Sequence, residues 1–452
     1  MSQRNRRQFL KQSAAAGVGF FAAAGLTPSV SRSANERLSF AGIGVGGKGS
    51  SDIDNCGNLG DVVAICDIDD NPLGKKAEKF PKAKKYNDFR KMLEETGKSI
   101  DAVTVSTPDH THAVAAMMAM KMGKHVYCQK PLTHDVYEAR ALREAAEKYK
   151  VCTQMGNQGT AENGLRRAVE LIRGGVIGPV KEVHVWTNRP IWPQAPGITS
   201  RPKETPPVPQ HVHWDEFLGP APERPYSPAY HPFKWRGWWD FGTGALGDMG
   251  CHTANMAFMA LKFEYPETVE AQCGDLNPET CPSWASVVLQ FPKRGDMPPC
   301  KFFWYEGKKD GQKNLPPMEL FHGEKPPGSG SLLVGSKGIL YSPNDYGAAY
   351  KLLPAKNFEG FDDKSIPVSL PRNGKGDQGQ KNEWVEAIKN SKPEIALSNF
   401  GYAGLLTETI LLGNVAMRCG KKLEWDGPAC KAKNAPEADQ YIKNPYRKGW
   451  SL

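Results

Sequence analysis

The chain has 452 residues, 24% charged and 39% hydrophobic, with a formal net charge of +9. That length exceeds one compact core and predicts two domains. Five basic residues, Arg4, Arg6, Arg7, Lys11 and Arg32, fall in the first 34 with no acid among them, so the remainder carries only +4 and offers no basic stripe for nucleic acid.

The chain opens on Arg6-Arg7-Gln8-Phe9-Leu10-Lys11 and a weakly apolar, Ala- and Gly-rich run over 13–26. This is similar to a twin-arginine signal, and the run is too short and small-residued to span a hydrocarbon core of about 30 Å. Residues 1–34 are therefore expected to engage the twin-arginine export machinery and take the chain to the periplasm. Cleavage fits after Ala24 or near Ser33.

A short apolar strand at 38–43 then runs into G-x-G-x-x-G: Gly44, Gly46 and Gly49, with Gly47 beside them. Gly44 suits the tight turn, Gly46 the close approach of backbone to a pyrophosphate, and Gly49 the packing of the following helix on its strand, whose N-terminus faces the phosphates. A second apolar run ends at Asp67, 23 residues after Gly44, where an acid holds a ribose 2'-hydroxyl. That carboxylate favours NAD over NADP, and no arginine lies in 68–74 to meet a 2'-phosphate.

From 38 to 155, apolar runs at 38–43, 62–66, 102–106, 125–128 and 151–155 alternate with helical patterns at 111–122 and 134–148, opened by Asp109 and Thr133 as capping candidates. This is the βαβ rhythm of a doubly wound parallel sheet and predicts a Rossmann dinucleotide domain over 35–155. Residues 156–452 are expected to form an α+β domain. Its β-rich runs at 180–186, 268–273, 285–291 and 300–305 suit an open, largely antiparallel sheet. Residues 189–240 form a loop or arm crowded with Pro, Trp, Tyr and His. Helical patterns at 380–389 and 400–419 could dock back on the first domain. The ten cysteines contain no C-x-x-C pair, which leaves zinc and thioredoxin chemistry unsupported. Any disulfide would draw on Cys273, Cys281, Cys300 or Cys430.

Three stretches carry a specific likeness: the glycine turn, Ser106-Thr107-Pro108-Asp109-His110-Thr111-His112, and Gly123-Lys124-His125-Val126-Tyr127-Cys128-Gln129-Lys130-Pro131. Together they resemble the Gfo/Idh/MocA oxidoreductase family. The resemblance implies that Gly44, Gly46, Gly47, Gly49, Asp67, Thr107, Pro108, His112, Gln129 and Lys130 border the cofactor. The family's usual E-K-P is Gln129-Lys130-Pro131 here, which removes a carboxylate beside Lys130. Lys130 would hydrogen-bond the reacting hydroxyl and stabilise developing alkoxide. His110 and His112 form H-x-H, but nothing completes a tetrahedral metal site, so no metal is expected.

Asp248 and His252 stand at i and i+4 and share one helix face. The family's D-x-x-x-H motif implies that His252 takes the hydroxyl proton while Asp248 orients substrate or stabilises the imidazolium. Asn255 replaces an acid that many relatives carry. Asn157 and Gln158 at the domain junction, with Arg189, Trp192, Tyr230 and Trp235 of the aromatic segment, are candidate sugar contacts, offering ring faces and donors together. The same rings equally suit an oligomer interface or a core plug.

The leading reading is an exported NAD-dependent oxidoreductase moving hydride between nicotinamide and a carbinol carbon of a sugar, polyol or sugar derivative, with the cofactor tightly held. A second is a redox-neutral NAD-dependent glycoside hydrolase, working by oxidation, elimination and reduction. A third is a non-catalytic carbohydrate-binding protein. An open sheet face suits a homo-oligomer.

Overall fold

A strand covered on both faces needs an unbroken apolar run, and the central strands of the first sheet have one. In the computed structural model, which describes residues 37–191, 193–374 and 376–452, six strands form this sheet: β1 (Leu38–Ile43), β2 (Gly60–Cys66), β3 (Lys84–Tyr86), β4 (Ala102–Val105), β5 (His125–Cys128) and β6 (Thr153–Met155). They are all parallel, in the order β3-β2-β1-β4-β5-β6. This is the doubly wound order, with its ligand crevice at the switch between β1 and β4. The pattern reading passes over β3, because Lys84 and Lys85 are an exposed edge without apolar alternation. The twin-arginine pattern and Trp192 lie outside the described residues.

The helices here are α1 (Gly47–Gly57), α2 (Asp70–Lys79), α3 (Phe89–Thr96), α4 (Asp109–Lys121) and α5 (Val136–Tyr149). Asp69 caps α2 by accepting from Asn71 N at 2.9 Å, and Asp88 caps α3 by accepting from Arg90 N at 2.8 Å. Helix α5 is opened by Asp135 rather than Thr133, through a reciprocal capping box with Glu138. Helix α4 begins at Asp109 directly behind Pro108, so His110 and His112 sit in its first turn.

After α6 (Asn163–Arg173) the chain builds a ten-stranded sheet from β7 (Val180–Thr187), β8 (Thr268–Cys273), β9 (Trp284–Phe291), β10 (Cys300–Lys309), β11 (Gln312–Lys313), β12 (Gly330–Gly335), β13 (Ile339–Ser342), β14 (Lys351–Leu353), β15 (Leu423–Asp426) and β16 (Lys431–Ala432). Every pairing is antiparallel except β7 with β10. Strand β9 alternates buried and half-buried side chains, the mark of a sheet with one face on the core. The helices α7 (Trp214–Leu218), α8 (Gly244–Thr253) and α9 (Asn255–Leu261) follow β7, and Leu246, Met249 and Phe258 of the last two share a core with Leu289, Phe291 and Phe302 of the sheet.

Residues 38–452 form one compact unit. Two late helices tie its halves together, α10 (Gly376–Asn390) and α11 (Phe400–Cys419). Trp384 of α10 packs against Phe40 and Tyr127 of the first sheet, with ring centres 5.9 and 5.7 Å away. Glu408 of α11 takes two hydrogen bonds from Arg140 of α5, at 3.0 and 2.6 Å.

The aromatic segment forms a small core of its own from Phe217, Tyr230, Trp235, Trp238 and Phe241, and Trp186 belongs to a separate cluster with Phe321 and Tyr341. All ten cysteines are free thiols. No helix among the described residues is long and apolar enough to cross a membrane.

Candidate active site

A cavity of about 580 Å³ opens over the carboxyl ends of β1, β2, β4 and β5 and runs on to α8. At its first end lies the glycine turn. Gly44 has φ +74°, and a Cβ there would meet the Ser106 carbonyl oxygen at 2.6 Å; a Cβ on Gly49 would meet the Gly44 oxygen at 1.9 Å. The turn therefore accepts only glycine at both places. Around Gly47, at φ +47°, nothing lies within 4 Å. Val45 N and Gly46 N donate to Asp67 Oδ2 at 2.8 and 3.0 Å, and Asp69 N donates to Oδ1 at 3.0 Å. Burial nevertheless raises the Asp67 carboxyl, against the pull of those three amides. Amides of the first turn of α1 have no partner within the helix. Together with a backbone left bare of side chains, they fit a dinucleotide pyrophosphate.

Thr107, Pro108, Gln129 and Lys130 line the same cavity. Gln129 Nε2 donates to Asp52 Oδ2 at 2.7 Å. Asp52, on α1, is fully buried and also accepts from Ser106 Oγ at 2.9 Å, Lys48 Nζ at 2.6 Å and Lys381 Nζ at 2.5 Å. Burial would push its carboxyl up, but Lys381 and Lys48 outweigh that and hold it below the ordinary value. A carboxylate thus does stand near the Q-K-P turn, supplied from another element. Sequence reading missed it, since Lys381 is far away in the chain and the only local trace is the i, i+4 pair Lys48 and Asp52.

Lys130 Nζ donates to Asp248 Oδ1 at 2.7 Å and to the Asp248 carbonyl at 2.9 Å. Asp248 Oδ2 accepts from Gln194 Nε2 at 2.9 Å, and Arg236 Nε lies 3.8 Å from Oδ1. Burial pushes the Asp248 carboxyl up, but Lys130, Arg236 and these hydrogen bonds prevail and hold it well below the carboxylate range. The acid is hydrogen-bonded to Lys130 and not to His252; its charge still favours the imidazolium across space, against the larger opposing effects of burial and of Lys130.

His252 is oriented instead by Asn157. Asn157 Nδ2 donates to the Cys251 carbonyl at 2.6 Å, which assigns its Oδ1 as the atom 2.8 Å from His252 Nδ1. An amide oxygen only accepts, so Nδ1 carries the proton and Nε2 is left with a lone pair. Burial, reinforced by the Lys130 charge, keeps the ring neutral with a pKa well below the usual value. Tyr346 packs against it nearly at right angles, ring centres 4.8 Å apart.

Three expected contacts are thereby corrected. Asn157 is fully buried behind His252 and does not line the cavity. His112 is also buried, its Nδ1 2.9 Å from the Pro131 carbonyl and its Nε2 2.8 Å from that of Thr107; it pins two turns together rather than bordering the cofactor. Tyr230 is 2% exposed and packs edge-on to Trp238 at 4.7 Å, within the aromatic core. Of the other candidates, Gln158, Arg189 and Trp235 line the cavity, and Gln158 Oε1 is buried there with no hydrogen-bond partner. Asn255, where relatives carry an acid, makes neutral contacts: it donates to Thr160 Oγ1 at 3.0 Å and accepts from Tyr402 OH at 2.7 Å. Among the described residues no group of three or more His, Cys, Asp or Glu is placed to hold a metal ion.

A doubly wound sheet with a glycine turn, joined to an α+β domain that brings a Lys, Asp and His together at the crevice, is the architecture of a two-domain dinucleotide-binding protein. Residues 37–157 match the oxidoreductase family model with an NAD-binding Rossmann fold, and 180–297 match that family's C-terminal alpha/beta domain. These matches cover just over half of the chain, which belongs to the Gfo/Idh/MocA family. A myo-inositol 2-dehydrogenase of Thermotoga maritima is 27% identical over 153 residues, 33% of this chain and 45% of that protein. A glycosyl hydrolase family 109 protein of Shewanella pealeana is 30% identical over 146 residues, 30% of this chain and 32% of that one. The chain therefore aligns with less than half the length of each of these two relatives. The crystal structure of the WlbA dehydrogenase from Bordetella pertussis, in complex with NADH and UDP-GlcNAcA, superposes with a TM-score of 0.58 at 16% identity, covering 86% of this chain and 99% of that one. At that identity the likeness is one of fold.

Proposed function

We propose that the chain is an exported NAD-dependent oxidoreductase acting on a CH–OH group of a sugar, polyol or sugar derivative. What carries the reading is one side-chain arrangement: a neutral His252 with its Nε2 lone pair free, beside a Lys130 ammonium anchored on Asp248. Bound there, NAD would supply the hydride acceptor for oxidation of the carbinol carbon and, reduced, the donor for the reverse reaction. Gly44, Gly46, Gly47, Asp67, Thr107, Pro108 and Gln129 would hold the dinucleotide, while Gly49 does not line the cavity and instead lets α1 close on the turn. Lys130 spends two of its three N–H bonds on Asp248 and can direct the third at the substrate oxygen, stabilising alkoxide character. His252 Nε2 takes the hydroxyl proton as the C–H bond breaks, and gives it back in reduction. Its burial beside Lys130 disfavours the imidazolium, so between turnovers the ring rests neutral and able to accept a proton. Gln158, with its unpartnered oxygen, suits a substrate hydroxyl.

The test is to load the purified chain with NAD and follow nicotinamide absorbance across a panel of sugars, polyols and uronic acids. Reduction with at least one member is expected; no redox change with any, from protein that demonstrably holds NAD, would refute net oxidoreduction. The family 109 relative favours a second reading, redox-neutral cleavage of a glycoside. It requires release of aglycone from a chromogenic glycoside with no accumulation of NADH. Export rests on the Arg6-Arg7 pattern, and fractionation of cells making the full chain tests it. Oligomerisation through the open sheet face is tested by light scattering.

A further inference from the structure

We propose that residues 444–450 form a clasp over the adenine end of the dinucleotide site, with Trp450 as its wall and Arg447 as its fastening. The inference rests on the chain holding NAD. An acid at the end of the second strand marks the adenosine ribose, so the adenine lies beyond Asp67. There the cavity is lined by Pro72, Asn87, Asp88, Phe89 and Trp450. No sequence pattern singles out Trp450.

The indole is held by its neighbours. Its ring centre is 5.9 Å from that of Phe89, and the Arg90 guanidinium sits 4.3 Å from it. Arg90 is itself fixed by two bonds to Asp88, Nε to Oδ1 at 2.9 Å and Nη2 to Oδ2 at 2.8 Å. A flat ring with an immobilised cation beside it suits stacking on a purine base.

The segment that carries it is tied down at both ends. Upstream, Asn444 N donates to Asp135 Oδ2 at 2.9 Å and Tyr446 OH to Glu138 Oε1 at 2.5 Å, both at the first turn of α5. Nearer the indole, Arg447 N donates to the Pro220 carbonyl at 2.9 Å, Nε to that of Gly219 at 3.0 Å and Nη2 to that of Asp215 at 3.0 Å, with an ion pair to the Asp215 carboxylate. Trp450 N returns to the Arg447 carbonyl at 3.1 Å. The partner of Arg447 is the inserted segment, which is laced to the nucleotide domain by Asp70 N to His211 O at 2.9 Å and His213 N to Ile68 O at 2.8 Å. Two segments distant in sequence thus converge on one end of the cavity. Release of the adenine end requires Trp450 to move away, and that breaks the Arg447 bonds.

The experiment uses the full chain. NADH release is followed by stopped-flow fluorescence on mixing with excess NAD, and equilibrium binding is measured separately for ADP-ribose and nicotinamide mononucleotide. Trp450→Ala is expected to speed NADH release about tenfold and weaken ADP-ribose about tenfold, the scale of one lost base–aromatic stack. Nicotinamide mononucleotide, which carries no adenine, is expected to bind as before. Arg447→Ala is expected to act in the same direction, and Trp450→Phe to recover most of the loss. Wild-type release rates in both alanine variants would overturn the clasp, as would equal weakening of the two fragments. A wild-type chain that binds neither NADH nor ADP-ribose overturns the nucleotide reading and the clasp with it.

Discussion

Asp52 offers the most stringent test of how the site is held. Its carboxylate is fully buried and accepts four hydrogen bonds, two from lysines, and one of these, Lys381, is also fully buried. The Lys381 ammonium also lies over the face of Tyr127, 3.7 Å from the ring centre. Asp52→Asn keeps the volume and removes the charge, so a buried cation loses its counter-ion. Breaking one side of such a pair costs about 3–5 kcal/mol, a large part of a total stability of about 5–15 kcal/mol. Urea unfolding followed by tryptophan fluorescence reads the loss directly, since Trp384 lies one turn from Lys381. The double variant Asp52→Asn with Lys381→Met removes the stranded charge and is expected to regain about 2 kcal/mol. A loss below about 1 kcal/mol in the single variant, or a double variant no more stable than it, would refute the pairing argument. Because Asp52 also steadies Gln129 beside Lys130, NADH affinity is expected to fall in the single variant.

What the sequence shows of this site is what its local spacing can encode. Gly44 to Gly49, Asp67, Gln129-Lys130 and the Asp248/His252 pair are all short-range patterns on a strand end or one helix face, and the structure brings them to one crevice. The partners of those residues are not short-range. Asn157 reaches His252 across 95 positions, Asp52 meets Lys381 across 329, and Arg447 meets Asp215 across 232. Nothing local distinguishes such a polar residue from a turn former or a solvated lysine. The aromatic segment fails for another reason: a ring that packs a core and a ring that faces a sugar have the same composition. Tyr230 and Trp238 are among the former, while Trp235 alone of the candidate rings borders the cavity among the described residues. The central parallel strands are legible because they are buried on both faces, whereas the exposed edge strand β3 is not, nor are β12 to β14, short strands within Pro- and Gly-rich sequence.

Three further predictions follow from the hydrogen bonding and titration of buried groups. His112→Ala removes the single N–H by which the neutral ring bonds one of the Thr107 and Pro131 carbonyls, so it is expected to cost about 1–3 kcal/mol in thermal unfolding; NADH affinity measured well below the melting temperature is expected to stay within about threefold, and a larger loss would return His112 to the cofactor's contacts. Burial pushes the Asp109 carboxyl up to about 7, against the hydrogen bond from Thr243. A raised acid binds its proton more tightly when folded, so its contribution is complete below the unfolded value near 3.8 and is lost as pH rises through about 7. The melting temperature of the wild type is therefore expected to fall relative to Asp109→Asn between about pH 4 and pH 7 and to run parallel above it; parallel curves throughout would refute the shift. Asn157 tests the proton-transfer assignment itself. Asn157→Ala removes the acceptor that fixes the proton on His252 Nδ1, a bond worth about 1 kcal/mol or somewhat more, so the two tautomers mix and kcat falls about tenfold. Asn157→Asp keeps an acceptor and adds a charge that favours imidazolium, so it retains the Nδ1–H tautomer while the ring's pKa rises towards the ordinary value. The rate of alcohol oxidation then acquires an acid limb that the wild type, whose ring is neutral, lacks. Ring nitrogen shifts of isotope-labelled histidine report the tautomer without any substrate. A His252 that keeps its Nδ1 proton in Asn157→Ala, or an Asp variant with an unshifted pH profile, would show that Asn157 does not position the base.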